Sequence, residues 1–389
     1  MGLLIIAGCV AIVARRLKIP YTIGLMLAGM GIAFLPFFEN MPTSKSLLLY
    51  VFLPPLVFEA AIQIPWKELR GNLPVVLLLA TAGVGVSCAV TALGMKQFAG
   101  WDWSGALLFG ALIAATDPVS VITTFKEAGV HGRLRILVES ESLFNDGAAA
   151  VIFAVILAAA SGTGVPTAGG TVRVLALSIA GGVMCGAIVA FAISLLMRIT
   201  RDSLVQFTFT TVIAYGSFLV AEHFHFSGIL ACVTAGLVIG NIDPLVDVAS
   251  EVTRTVWTYW EYIGFLANSL IFLGIGIAQI RQEFLSVMAP AIIALIFVLL
   301  GRAFAVYPFC ALFHKSALRI SAKHQHVLFW GGLRGALALA FAVELPDGMP
   351  LREEIISVTF AVVAFSIFVQ GLTMTPLLRR VGAISPPAA

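Results

Sequence analysis

Six ionisable side chains lie inside long apolar stretches of the chain: Glu59, Asp117, Glu141, Asp146, Arg302 and Arg334. A charge at the centre of a bilayer costs about 2.5–3.5 kcal/mol on insertion scales, so residues kept there point to work on ions. Asp117 stands in Ala115-Thr116-Asp117-Pro118. Pro118 has no N–H to give a helix and drives the residue before it towards extended backbone. Unwinding at this point frees carbonyls near Thr116. Free carbonyls beside a carboxylate make a set of oxygen ligands for a hard cation. The plainer reading is a capped break between two short helices, but Ser or Asn would cap it without a charge.

The second cluster is Glu139-Ser140-Glu141-Ser142-Leu143-Phe144-Asn145-Asp146-Gly147. On a helix Ser142 and Asp146 share one face, and Glu141 and Asn145 share the adjoining one. The run Ala148–Ala160 is wholly apolar, which sets Asp146 well inside the membrane; Glu139, nearer the cytoplasmic end, is expected to be solvated. Arg334 follows Gly331-Gly332-Leu333 and needs a buried partner, for which Glu141 is the expected carboxylate. That pairing keeps Glu141 ionised and leaves Asp117 and Asp146 to hold either a proton or a cation, a competition that couples the two. Glu59, after Pro54-Pro55, is either a solvated helix end or a carboxylate at the mouth of the site. Arg302 either snorkels or pairs with a carboxylate that the sequence does not identify. His223/His225 and His324/His326 form two HxH pairs without a third ligand, so they read as interfacial histidines. The five cysteines have no CxxC spacing, and neither disulfide, metal centre nor cofactor is expected.

The elements that must position these residues are apolar blocks at 2–15, 20–38, 46–63, 72–98, 104–125, 135–160, 171–197, 204–223, 227–240, 257–279, 285–313, 325–344 and 354–378. A spanning helix needs about 20 apolar residues, so these read as thirteen spans, the first and ninth short. With 60% hydrophobic and 11% charged residues in 389, a soluble enzyme, a disordered chain and a nucleic-acid binder are excluded. Charge alternation supports the count. Of 23 basic residues, five (Lys45, Lys96, Arg173, Arg281, Arg352) fall in loops of one side, and all the rest but Arg302 and Arg334 fall on the other. The positive-inside rule then puts the N-terminus outside and the C-terminus in the cytoplasm. Gly182 and Gly186 read as a helix-packing step. Thr116-Asp117-Pro118 and Gly331-Gly332-Leu333-Arg334-Gly335 interrupt two blocks, the sign of broken helices in the two halves of a transporter.

Ala115-Thr116-Asp117-Pro118, Glu141-Ser142-Leu143-Phe144-Asn145-Asp146-Gly147, Gly331-Gly332-Leu333-Arg334-Gly335 and Pro54-Pro55-Leu56-Val57-Phe58-Glu59-Ala60-Ala61 resemble the signatures of monovalent cation/proton antiporters of the NhaP type, relatives of the eukaryotic sodium/proton exchangers. The resemblance implies an all-α membrane protein of about 13 transmembrane helices with inverted repeats and broken helices. It implies core transport helices at 72–160 and 285–378, dimerisation helices at 1–63 and 204–279, a linking helix at 171–197, and elevator-like alternating access. It also implies exchange of Na+ or Li+ for H+ with Asp117, Asp146, Ser142, Thr116 and Glu59 as cation and proton ligands, and Asn145, Glu141 and Arg334 in support. The Asn145-Asp146 pair implies electroneutral exchange. A homodimer among membrane lipids, in a bacterial inner membrane, follows from the same resemblance.

The near alternative is K+/H+ exchange, because cavity size selects the ion and the sequence does not give it. An intramembrane aspartyl protease would need a Gly-x-Gly-Asp context that neither Asp117 nor Asp146 has. A passive channel would need a filter loop, and none is evident. The chain therefore reads as a secondary transporter and not an enzyme.

Overall fold

The structure is a computed structural model that describes residues 2–17, 20–34, 47–117, 125, 129–130, 132–162, 168–200, 202–242, 251–279 and 287–383, with the side chains of 47, 48, 168 and 251 also left aside. Pro118, Lys18, Lys45, Lys126, Arg201 and Arg281, used in the sequence reading, lie outside the described residues.

The described chain is helical, without strands. In order it forms α1 (Gly2–Leu17), α2 (Tyr21–Ile32), a π-turn (Leu47–Phe52) into α3 (Leu53–Ile62), and α4 (Trp66–Leu78), which runs through a π-turn (Leu79–Gly83) into α5 (Val84–Phe98). Then come α6 (Trp103–Ala114), α7 (Arg133–Ala160), α8 (Ala168–Met197), α9 (Ser203–His223), α10 (Gly228–Asn241), α11 (Glu251–Gln279) and α12 (Met288–Leu312). Last are α13 (Ala322–Trp330), α14 (Ala336–Glu344) and α15 (Arg352–Phe365), which continues through a π-turn (Ser366–Gly371) into α16 (Leu372–Arg380). Each of the thirteen apolar blocks carries helix. Seven helices among the described residues are long and apolar enough to cross a bilayer, and four apolar helices are shorter. The chain is an integral membrane protein, and helices satisfy its backbone where no water can.

Two compact units divide the chain: residues 1–45, 72–145 and 269–389 form one, residues 46–71 and 146–268 the other. In the first unit α12 packs along α5, α5 along α6, and α14 against α15 and α6. Close approach depends on small residues, since lipid gives helices no hydrophobic drive to associate. A methyl at Gly110 on α6 would sit 2.6 Å from the Cys88 carbonyl of α5, so the two backbones touch there. In the second unit α10 packs against α8, α3 and α9. Gly182 and Gly186 of α8 lie on the backbone of Ser227 and Ala231, as a packing step requires. Thr210 accepts from the Trp260 indole at 3.1 Å, tying α9 to the N-terminal part of α11.

Candidate cation site at two crossing helix breaks

In the first unit the end of one helix meets the break in another. Helix α6 stops at Ala114, and Ala115 turns extended (φ −58°, ψ 139°) ahead of Thr116 and Asp117. Its partner break runs from Gly331 to Gly335, between α13 and α14. The chains bond to each other where each leaves its helix. The Asp117 N–H donates to the Leu333 carbonyl at 2.7 Å. Arg334 Nη1 donates to the carbonyls of Ala114 at 2.7 Å and Ala115 at 3.1 Å. A helix that ends inside a membrane leaves its last carbonyls without donors, and it presents the negative end of its dipole. The guanidinium answers both at the end of α6.

Gly335 is needed at this crossing, because a methyl there would collide with the Asp117 side chain. Thr116 Oγ1 donates to Ser142 Oγ at 3.2 Å, joining the break to α7. Thr116, Asp117 and Ser142 are all buried. Asp146, also buried, stands one helical turn beyond Ser142 on α7. A backbone turned away from helical bonding, two hydroxyls and a buried carboxylate are oxygen chemistry suited to a small monovalent cation or a proton.

Glu141 has a different partner from the expected one. Arg302 of α12 grips it with both amino groups, Nη1 to Oε1 at 2.7 Å and Nη2 to Oε2 at 2.9 Å. Arg302 Nη2 also donates to the Leu328 carbonyl at 2.8 Å, near the end of α13. Arg302 and Glu141 are 5% and 1% exposed, so this is a buried bidentate pair; Arg302 Nε has no hydrogen-bond partner among the described residues. The expected Glu141–Arg334 pair is corrected: Arg334 serves backbone carbonyls at the end of α6, and Arg302 neutralises Glu141. The sequence reading allowed only a carboxylate to compensate a buried guanidinium and overlooked helix-end carbonyls. The second glycine of the break now has a reason, since a methyl at Gly332 would stand 2.6 Å from Arg302 Nε.

Asn145 Nδ2 donates to Glu141 Oε1 at 3.3 Å, and its Oδ1 has no partner among the described residues. Glu139 is buried too, held by Arg135 at 2.6 Å, rather than solvated. Glu59, in the second unit, lies in the body of α3, half-buried, and accepts from Gln63 Nε2 at 2.6 Å. Two residues of the first unit escaped the sequence reading. Ser366 Oγ accepts the Arg334 N–H at 2.8 Å and donates to Gln370 Oε1 at 2.7 Å. Their only signal is two polar residues four apart in the apolar block 354–378.

A membrane helix that ends at a buried carboxylate against a second, broken helix is the kind of arrangement from which secondary transporters build their ion sites. The family model for the transmembrane sodium/hydrogen exchanger matches residues 2–380, and the chain belongs to that family. It is 38% identical over 373 residues to the Na+/H+ antiporter ApNhaP of Aphanothece halophytica, covering 95% of this chain and 71% of that protein. It is 36% identical over 352 residues to the Na+/H+ antiporter NhaP of Pseudomonas aeruginosa, covering 88% and 82%. The solved structure of the sodium proton antiporter MjNhaP1 from Methanocaldococcus jannaschii has the same fold, with TM-score 0.78 at 20% identity over 97% of this chain and 96% of that one.

Proposed function

We propose that the chain exchanges Na+, or Li+, for H+ across a membrane by alternating access, with cation and proton competing for Asp117 and Asp146. The observation that carries this reading is the crossing itself. Asp117 is held through its own N–H by Leu333, beside the Thr116–Ser142 hydroxyl pair, in buried surroundings where an ionisable group is costly to keep without a function. Asp146, Glu59 and the Thr116 backbone complete the proposed ligand set. Glu141 is neutralised by Arg302 and stays out of the exchange. The names of the relatives favour sodium over the K+/H+ alternative. Electroneutral stoichiometry, a homodimer, a bacterial inner membrane and an external N-terminus belong to the same proposal.

The test is proton flux in proteoliposomes driven by an imposed gradient of Na+, Li+ or K+ in turn. The proposal expects flux with Na+ and Li+. Flux with K+ alone, or current without exchange, would overturn it.

A further inference from the structure

The crossing is held from behind by a polar clasp on the last helix. Arg334 N–H donates to Ser366 Oγ at 2.8 Å, Ser366 Oγ donates to Gln370 Oε1 at 2.7 Å, and Gln370 Nε2 donates to the Trp330 carbonyl at 3.3 Å. Trp330 is the last residue of α13 and Arg334 the fourth of the break, so the chain of bonds closes over the unwound segment from one end to the other. The three bonds run in one direction, and each hydroxyl or amide in them both gives and receives. The Trp330 indole adds a bond to Thr373 Oγ1 at 2.8 Å, one turn further along α16. Ser366 and Gln370 are 1% and 4% exposed.

Both residues belong to the π-turn at Ser366–Gly371, in a helix that is otherwise regular α from Arg352 to Arg380. Single π-turns inside α-helices gather at functional sites. Here the π-turn carries the two side chains that clasp the break. The position of Asp117 depends on what the clasp holds. Its N–H is bonded to Leu333, the residue before Arg334, and the end of its own helix is bonded to the Arg334 guanidinium. Unwound backbone has no internal ladder, so external bonds decide where its carbonyls and amides stand.

We propose that Ser366 and Gln370 are positioning residues for cation binding: by clasping Trp330 and Arg334 they fix the Leu333–Arg334 backbone that in turn fixes Asp117. They touch no ion themselves. The proposal rests on Asp117 being a cation ligand. It predicts an effect on affinity and on its pH dependence, whereas a part that only supports the fold would change the amount of folded protein alone.

The experiment measures Na+-dependent proton flux in proteoliposomes across Na+ concentration and pH for Ser366→Ala, Ser366→Thr, Gln370→Met and Asp117→Asn, with Tm in detergent alongside. Ser366→Ala and Gln370→Met are expected to raise the half-saturating Na+ concentration about tenfold, the scale of one buried hydrogen bond lost. They should leave maximal turnover within about twofold and displace the pH profile of exchange. Ser366→Thr keeps the hydroxyl and should restore the wild-type value. A lowered Tm with unchanged half-saturation and pH profile would overturn the proposal and leave the pair a purely structural part. If Ser366→Ala does not fold, an unchanged half-saturation in Gln370→Met overturns it equally. Asp117→Asn separates the two readings. An inactive Asp117→Asn beside an unaffected Ser366→Ala removes the clasp alone; normal exchange in Asp117→Asn removes the site reading, and the clasp with it.

Discussion

Removing Arg302 tests the corrected ion pair most sharply. In Arg302→Met a side chain of similar length replaces the guanidinium, and Glu141 keeps the Asn145 amide at 3.3 Å from the bonds seen here. With contacts of 2.7 and 2.9 Å the charge centres lie about 4 Å apart, which at an effective dielectric of about 20 is about 4 kcal/mol of attraction. Stranding one charge of a buried pair costs about 3–5 kcal/mol, so Arg302→Met and Glu141→Gln should each destabilise strongly. Because each loss is mostly the uncompensated partner, the double variant should recover a large part of it. A coupling of about 2–3 kcal/mol is expected, the upper end of what contacting residues show. Reversible denaturation in mixed detergent gives the four corners of the cycle, with the parallel Glu141→Gln, Arg334→Met cycle as the contrast. Additivity within about 0.5 kcal/mol for Glu141 and Arg302, or a larger coupling for Glu141 and Arg334, would refute the assignment.

Gly332→Ala places a methyl 2.6 Å from Arg302 Nε and should cost about 1–3 kcal/mol by overpacking; an unchanged Tm would mean the guanidinium can move aside freely. One-for-one exchange moves no net charge, so the equilibrium Na+ gradient in proteoliposomes clamped with valinomycin should not change with voltage. A potential acts at about 2.3 kcal/mol per charge per 100 mV, so a voltage-dependent equilibrium would be plain to see and would require a second proton carrier, with Glu59 the first suspect. His324 lies at the loop end of α13, before the apolar block 325–344, where burial first and the Arg133 charge second hold its pKa below the ordinary histidine value of 6.5. The unfolded chain therefore takes up the proton first, and this stability is present above pH 6.5 and lost as pH falls through the lowered pKa. His324→Gln should flatten the acid side of a Tm-versus-pH curve slightly, since the residue is only partly buried and solvent screens it; an identical curve would remove His324 from the account.

Much of this architecture is legible in the sequence because membranes make it so. A charge or a Gly/Pro cluster in an apolar block has few permitted meanings. The interruption at Gly331–Gly335 falls between Trp330 and Ala336, where α13 ends and α14 begins. Ser142 and Asp146 follow from helical periodicity alone. The partner of Arg302 was hidden for a physical reason. Glu141 and Arg302 are 161 positions apart, and no periodicity links the register of α7 to that of α12. Arg334 was misread because the acceptors of its Nη1 are backbone atoms, which exist as free acceptors only once α6 has ended at Ala114. Ser366 and Gln370 were passed over because uncharged polar residues are common in membrane helices, where a backbone carbonyl usually satisfies them.

The central claim is that a sodium ion and a proton compete for the same buried carboxylates. Calorimetry of Na+ binding to the purified protein in detergent, in two buffers of different ionisation enthalpy, counts the protons released as the ion binds. The account predicts that wild-type protein releases protons on taking up Na+, and that Asp146→Asn and Asp117→Asn, still folded by Tm, lose the release together with the binding. Na+ binding without proton release, or full release from Asp146→Asn, would contradict it.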